Sequence, residues 1–274
     1  MEWPCGMPST PILGADDSRR GDRGFVNSAI RRSIARLIGR TGYHLLSEWR
    51  LREWDCAQHV RELFVRQQID LVLDVGANVG QYRDFLREQV EYDGWIVSFE
   101  PLEDNVAVLK RKAALDPRWV IHDYALGGDS GVHAFNRMAR TTFSSFLAPD
   151  PAATARVLES NRVVAVEQVR TRTLAEVWPE LHRTHGRFRP YLKMDTQGFD
   201  VQVLAGARPI LAEVPAGQSE IYFRPVYLNA PSALESLDAF ARFGFDVAGL
   251  FPVSHDPGMQ LRACDCTLVN RASV

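Results

Sequence analysis

Leu73-Asp74-Val75-Gly76-Ala77-Asn78-Val79-Gly80-Gln81 is the stretch of sequence that decides the fold of this chain. It contains the end of a short apolar run, Ile69 to Val75, which is typical of a buried parallel strand. Gly76 allows a sharp turn and a close approach of the backbone to a ligand, because glycine has no side chain. Gly80 falls in the first turn of a helix, where a side chain would push the helix off the sheet. The stretch therefore predicts the first strand-to-helix turn of a doubly wound sheet, which binds its ligand at the carboxyl ends of the strands.

Glu100 follows the second predicted strand, Trp95 to Phe99. A carboxylate at that position can accept hydrogen bonds from both hydroxyls of a ribose. The first helical turn at Gly80 presents free N–H groups, which suit an anionic group such as the carboxylate of S-adenosylmethionine (SAM). The turn and the acid together predict a site for a cofactor that contains a ribose.

Two such cofactors compete. A dinucleotide requires glycine at three positions of the turn, so that the backbone can approach the pyrophosphate. Asn78 stands at the middle position, where its side chain would crowd a pyrophosphate. SAM has no pyrophosphate, so we expect SAM and keep a nicotinamide-dependent oxidoreductase as the alternative. The residues expected to bind SAM here are Asp74, Gly76, Ala77, Asn78, Gly80 and Glu100.

Strands and helices alternate along the rest of the chain, which ends in two strands close together in sequence. The further expected strands are Trp119 to Tyr124, Val132 to Phe135, Val163 to Arg170, Tyr191 to Met194, Glu220 to Tyr227, Val247 to Val253 and Ala263 to Val269. The expected helices are Gln81 to Gln89, Glu103 to Leu115, Thr173 to Trp178, Val201 to Ala212 and Ala233 to Phe243. This order predicts an α/β fold with a doubly wound, mainly parallel seven-stranded sheet and one antiparallel strand.

A series of motifs resembles the FkbM-type methyltransferases, a class I SAM-dependent family with a Rossmann-like fold. The motifs are Asp74 to Gly80, Phe99-Glu100-Pro101, Ala125-Leu126-Gly127, Ser144-Ser145, Leu192 to Gly198, and Gly244-Phe245 followed by Asp265 and Val269. The resemblance covers about Ile69 to Asn270. Known members methylate hydroxyls of sugars and complex natural products, so the resemblance implies O-methylation of a hydroxyl on a sugar, glycolipid or polyketide-type product.

Asp195 ends the strand expected beside the cofactor strand and is our candidate for orienting or deprotonating the acceptor hydroxyl. It can also contact the cofactor, and the competing interpretation is an acid that caps the turn at Gly198. Lys193 lies on the same strand face, so it can pair with Asp195 or contact the substrate. His255, expected in a loop above the sheet, is a remote candidate for the base.

The resemblance has one departure. The family commonly reads Asp-x-Glu-Gly after the fourth strand, whereas this chain has Gln197 in place of the glutamate. An amide cannot serve as a base, so a role for that second acid does not carry over. A non-catalytic module that binds SAM is therefore a further alternative.

Asp123 and Ala125 follow the third predicted strand, near the place where an adenine would lie. Asp123 can accept a hydrogen bond from the adenine amino group, and Ala125 can lie against the ring. A divalent metal is left open. Asp195, Asp200 and Glu220 can bind a hard cation through oxygen atoms if they converge, and spacing alone does not show that they do.

The composition fits one α/β domain with an appendage, at 274 residues, a net charge of −2 and 46% hydrophobic residues. No apolar run approaches the roughly 20 residues that span a bilayer. The N-terminus lacks the pattern of a signal peptide. Cys264 and Cys266 are interpreted as buried strand thiols rather than as half of a metal site. We therefore expect a cytoplasmic protein.

Positive charge is concentrated near the N-terminus, with seven arginines and one acid from Arg19 to Arg40. Apolar residues recur there at helical spacing from Val26 to Ile38. Such a helix can touch an anionic membrane surface weakly, or pack on its own domain or on a second subunit in a homodimer; we expect it to pack on protein.

The expected organisation is a disordered segment 1–24, a helical appendage 25–66 and a methyltransferase domain 67–274. Elsewhere no basic stripe carries interleaved aromatics, so we expect no nucleic-acid partner.

Overall fold

The computed structural model of the chain describes residues 53–152 and 159–273. The predicted disordered segment 1–24 and the basic helix from Val26 to Ile38 lie outside these ranges. By its contacts the chain divides into two units, and the second runs from Trp49 to Val274. Within the described ranges, no helix is long and apolar enough to cross a membrane.

The described strands form one large sheet and one small one. In chain order they are β1 Leu71–Val75, β2 Trp95–Phe99, β3 Trp119–His122, β4 Ala125–Leu126, β5 Gly131–Met138, β6 Val163–Arg172, β7 Pro190–Met194, β8 Ala216–Tyr222, β9 Phe245–His255 and β10 Leu261–Asn270. The large sheet has the order β3-β2-β1-β7-β8-β10-β9. Only β10 runs against its neighbours in this sheet, since it pairs antiparallel with both β8 and β9. The predicted mainly parallel seven-stranded sheet with one antiparallel strand is confirmed.

The helices cover both faces of this sheet. In chain order they are α1 Trp54–Gln67, α2 Gln81–Phe85 with a π-helical turn Leu86–Val90, α3 Glu103–Ala113, α4 Leu174–His185, α5 Asp200–Ala207 and α6 Ala233–Arg242. Strands β1 and β7 are buried at every position, which agrees with their continuous apolar character. Two helices begin at side-chain caps. The Thr173 hydroxyl accepts from the N–H of Glu176, and Ser232 forms a capping box with Glu235.

The helix Trp54–Gln67 is part of the sheet domain, which corrects the predicted boundary at residue 67. Its residues Val60 and Phe64 belong to the same buried apolar cluster as Val72 in β1 and Tyr191 in β7. Sequence alone assigned α1 to the appendage because its partners are distant along the chain and cannot be read from local periodicity.

Strand β8 corrects a second prediction, because it covers Ala216–Tyr222 rather than Glu220 to Tyr227. Its first half is small and polar, which made it resemble a loop. Gly217 is suited to the strand, since a β-carbon there would lie 2.7 Å from the carbonyl oxygen of Leu192. Pro225 has no N–H to donate to a strand neighbour, and the chain has left the sheet at that point.

A second sheet with the order β4-β6-β5 was not predicted as a separate unit. The third strand of the large sheet ends at His122, and the chain then passes into this small sheet through Ala125 and Leu126. Phe135 and Val169 of the small sheet pack with Leu102 in a local apolar cluster. Cys264 and Cys266 are buried free thiols in β10, as predicted.

Candidate active site

A cavity of about 700 Å³ opens at the carboxyl ends of β1, β2 and β7. At β1 the order of the sheet changes direction, with β2 on one side and β7 on the other, and ligands of doubly wound folds bind at such a point. Its volume lies within the range of small-molecule and cofactor sites. Seven of the predicted site residues line this cavity, namely Gly76, Ala77, Asn78, Glu100, Ala125, Lys193 and Asp195.

The two glycines of the first turn have left-handed backbones, with φ of +80° at Gly76 and +90° at Gly80. A β-carbon on Gly76 would lie 2.2 Å from the carbonyl oxygen of Asp195. The missing side chain therefore makes room for the neighbouring strand end, and not only for a ligand. A β-carbon on Gly80 would lie 2.7 Å from the Trp119 ring. This confirms that Gly80 permits close packing beside the sheet, although it does not itself line the cavity.

The N–H groups of the turn already have partners. Those of Gly76 and Ala77 donate to the carbonyl oxygen of Phe99 at 3.0 and 3.2 Å. The N–H of Asn78 donates to Glu100 at 2.9 Å. The turn uses these three groups to bind the end of β2 and Glu100, and the predicted anion contact with the first helical turn after Gly80 stays a prediction.

Glu100 lies at the base of the cavity and is only 4% exposed. Its Oε1 accepts hydrogen bonds from the N–H of Leu102 at 3.0 Å and from Asn105 Nδ2 at 3.2 Å. Its Oε2 accepts only the bond from Asn78 among the described residues. A carboxylate oxygen has two lone pairs, so Oε2 can accept one more donor. Burial raises the pKa of Glu100 to about 7, although these hydrogen bonds oppose the shift.

Asn78 is held by side-chain contacts at a φ of +48°. Its Nδ2 donates to the hydroxyl of Thr141 at 3.2 Å, and its Oδ1 accepts from Gln81 at 3.2 Å. The side chain therefore occupies the place where a dinucleotide site has its middle glycine.

An apolar wall stands beside Glu100. It is formed by Phe99, Ala125, Leu126, Phe135 and Phe146. Ala125, which was predicted to lie against the adenine, thus lines the cavity.

Asp123 does not belong to this wall, which corrects the prediction for it. Its carboxylate is 57% exposed and pairs with Lys110 at 3.4 Å and Arg170 at 3.5 Å. The strand β3 ends one residue earlier, at His122, and the turn into the small sheet carries Asp123 towards solvent.

Lys193 connects two acids on the large sheet. Its Nζ lies 3.3 Å from Asp74 Oδ1 and 3.4 Å from Asp195 Oδ2. Burial opposes its charged form, but the carboxylates of Asp195 and Asp74 outweigh burial and raise the pKa of Lys193 above its usual value. The two acids therefore favour the protonated form of Lys193.

Asp74 lies behind the cavity and is fully buried. Its Oδ2 accepts from the hydroxyl of Ser98 at 3.0 Å, and it does not line the cavity. The predicted direct contact of Asp74 with the cofactor is corrected, since this acid instead holds Lys193.

Asp195 lines the cavity and has a side chain that is 39% exposed. Its Oδ1 accepts from Gln197 Nε2 at 2.8 Å, while its Oδ2 faces Lys193. The competing interpretation, a cap of the following turn, applies to another acid. Asp200 accepts from the N–H of Thr196 at 2.9 Å and so takes that position.

Both oxygens of Asp200 already accept hydrogen bonds, one from Thr196 and the other from the Ser219 hydroxyl. Among residues 53–152 and 159–273, no group of three or more His, Cys, Asp or Glu side chains could hold a metal ion. His255 is exposed as the last residue of β9 and does not reach the cavity. That remote candidate is corrected, because the loop expected above the sheet begins only after this residue.

Asp265 is a cavity residue that the sequence reasoning did not select as a site. Burial raises its pKa to about 6, against a hydrogen bond from Gln218. The oxygen of Gln218 accepts from the hydroxyls of Tyr82 at 2.9 Å and Tyr191 at 3.2 Å, which directs its amide nitrogen away from them. The feature of the sequence that could have identified Asp265 is its position as a single acid between the two buried strand cysteines, Cys264 and Cys266.

The sequence model of the methyltransferase FkbM domain matches residues 74–247. No curated protein sequence matches the chain. Among solved structures, the chain is similar to the methyltransferase FkbM from Methylobacillus flagellatus KT, with 14% identity and a TM-score of 0.44 over 72% of this chain and 43% of that chain.

Two further similar structures contain bound SAM. Fibrillarin of Aeropyrum pernix has 12% identity and a TM-score of 0.39, over 73% of this chain and 66% of that chain. The magnesium protoporphyrin IX methyltransferase of Synechocystis PCC 6803 has 10% identity and a TM-score of 0.42, over 90% and 93%. This chain thus spans 43% and 66% of the FkbM and fibrillarin chains.

Proposed function

Because this chain belongs to the FkbM methyltransferase family, we propose that it is a SAM-dependent O-methyltransferase. The acceptor would be a hydroxyl on a sugar, a glycolipid or a polyketide-type natural product. The observation that carries this proposal is that Glu100 and Asp195 line one cavity, with the Gly76 turn between them. Glu100 can accept a hydrogen bond from a ribose hydroxyl, and Asp195 can accept one from the acceptor hydroxyl.

The residues of the cavity fit SAM in two respects. Glu100 Oε2 keeps an acceptor position for a ribose hydroxyl, beside the apolar wall of Phe99, Ala125 and Leu126 that would receive the adenine. The side chain of Asn78 fills the space that a pyrophosphate would need, which favours SAM over a dinucleotide.

SAM, when bound, supplies a methyl group that an oxygen nucleophile can displace from a positively charged sulfur. Asp195 would orient the acceptor hydroxyl and take up its proton on a carboxylate oxygen. Lys193 would hold that carboxylate in place, since its Nζ lies 3.4 Å from Asp195 Oδ2. The apolar wall would exclude water from the cofactor side of the cavity.

Calorimetric titration of the full chain with SAM, S-adenosylhomocysteine and NAD tests the cofactor. We expect both adenosyl compounds to bind and NAD to give no heat of binding. Glu100→Ala should weaken binding by about 1.5–3 kcal/mol, the value of one charge-assisted hydrogen bond, because only one acceptor position on Glu100 remains free. Tight binding of NAD would overturn the proposal. Transfer of a labelled methyl group to a panel of sugars, glycolipids and polyketides would identify the acceptor.

We also place the reaction in the cytosol. The thiols of Cys56, Cys264 and Cys266 are free in the described residues, which suits a reducing compartment. Fractionation of cells that produce the full chain, followed by immunodetection, tests this placement.

A further inference from the structure

Gln197 has a backbone conformation that favours glycine. Its φ is +55°, and the next residue, Gly198, has a φ of +90°. A left-handed backbone is unfavourable for a residue with a β-carbon. The hydroxyl of Ser145, which is fully buried, donates to the carbonyl oxygen of Gln197 at 3.0 Å and holds the turn in place. An unfavourable backbone that is held in this way points to a requirement for the side chain.

The side chain of Gln197 lies between two acids. Its Nε2 is 2.8 Å from Asp195 Oδ1 and 3.2 Å from Glu220 Oε2. Carboxylates only accept hydrogen bonds, so the group that faces both of them must be the NH2 group, and each of its hydrogens has a partner. The opposite atom, Oε1, lies 2.8 Å from the hydroxyl of the buried Tyr227. The amide therefore has one orientation.

We propose that Gln197 is a positioning residue that bridges the carboxylates of Asp195 and Glu220 and aims the former at the acceptor hydroxyl. The inference rests on the proposed function, since it assumes that Asp195 acts on the acceptor. Gln197 holds one oxygen of Asp195 and Lys193 faces the other, so the carboxylate is fixed from both sides. Such fixation keeps a reacting group in its productive geometry.

At position 197 this acidic region favours the neutral amide of glutamine over the carboxylate of glutamate. Burial raises the pKa of Glu220, and the charge of Asp195 raises it further. The ionisable groups of the described residues that face Glu220 include Asp195 after β7, Asp200 on α5, Cys264 and Asp265 on β10, Tyr222 on β8 and Tyr227 in the following loop. A glutamate at position 197 would add a like charge at hydrogen-bond distance and could bridge only after taking up a proton.

Titration of the Glu220 carboxyl tests this directly and needs no acceptor. The full chain is labelled with carbon-13 at its glutamate carboxyls, and the signal is assigned with Glu220→Gln. In Gln197→Glu the titration midpoint should rise by about 1 pH unit or more, because a like charge replaces a donor. Methionine has a similar length and no hydrogen-bond donor, so in Gln197→Met the Glu220 midpoint should rise by less. Gln168→Glu adds the same charge on the exposed outer surface of β6 and should leave the midpoint unchanged.

Tyr227→Phe removes the contact with Oε1 and keeps both acids. With the acceptor that supports wild-type turnover, we expect Gln197→Met and Tyr227→Phe to lower kcat more than they raise KM. In Gln197→Glu the acid limb of the pH–rate profile should move to higher pH. An unchanged Glu220 midpoint in both Gln197 variants, with wild-type unfolding temperatures, would refute the bridge. A wild-type chain that binds SAM and methylates no hydroxyl would instead refute the proposed function, whatever the titration shows.

Discussion

Gly76 and Asp195 touch so closely that a β-carbon on the glycine would lie 2.2 Å from the carbonyl oxygen of the aspartate. The N–H of Asp195 also donates to the carbonyl oxygen of Val75 at 3.0 Å, which continues the pairing of β1 with β7. The turn after β1 and the acid after β7 are therefore one packed unit. A disturbance at one of them must move the other.

Gly76→Ala should destabilise the fold and weaken binding of S-adenosylhomocysteine. The alanine would meet a backbone atom and would also have to adopt a φ of +80°, so we expect a loss of about 2–5 kcal/mol from overpacking and backbone strain together. Gly244→Ala is the control, since Gly244 has a φ of +93° and the nearest atom to its would-be β-carbon is Asn270 Oδ1, at 4.0 Å. Urea unfolding of both variants separates the collision from the strain. Equal losses would contradict the close contact.

The affinity for S-adenosylhomocysteine should depend on the ionisation of Glu100. Burial raises its pKa to about 7, and a ribose hydroxyl would donate to the charged carboxylate. Binding should therefore weaken as the pH falls below about 7, by up to about tenfold per pH unit, and level off above it. Calorimetry across this range measures the slope. The curve for Glu100→Gln should lack it, and a wild-type affinity that is constant with pH would count against the ribose assignment.

Asp195→Asn should separate chemistry from cofactor binding. The amide keeps the size of the side chain but cannot take up a proton, so turnover should fall by on the order of 10²–10⁴. The affinity for S-adenosylhomocysteine should stay within about twofold, because the change is conservative in shape. A parallel loss of binding and turnover would assign Asp195 to the cofactor site instead. Single-turnover methyl transfer and calorimetry provide the two measurements.

Lys193→Met should destabilise the protein more than an ordinary loss of a surface ion pair. Asp74 Oδ1 is buried and has no hydrogen-bond partner, so Lys193 is the cation that compensates it. Removing one partner of a buried pair costs about 3–5 kcal/mol. Lys110→Met is the control, because its pair with Asp123 is more than half exposed and should be worth no more than about 1 kcal/mol. Similar unfolding free energies for the two variants would show that Asp74 is compensated in another way.

The parts of the site that lie close together along the chain could be predicted from the amino-acid sequence. The turn around Gly76 follows directly after a buried strand, and Glu100 follows directly after the next one, so both are specified within a single strand–helix–strand unit. Hydrophobic patterning placed Trp95–Phe99 at its observed bounds and most other strands within a few residues. Such predictions succeed because the periodicity of a strand and the flexibility of glycine depend on neighbours in the chain.

Which distant residues line the cavity together depends on the tertiary structure. Asp265 reaches it because the reversed strand β10 is inserted between β8 and β9, a pairing that no local pattern encodes. Asp123 leaves it because the chain passes into the small sheet. Gln197 acquires Glu220 and Tyr227 as partners through β8 and the loop that follows it. Side chains converge according to strand order and register, and these are fixed by the burial of both faces of the whole sheet.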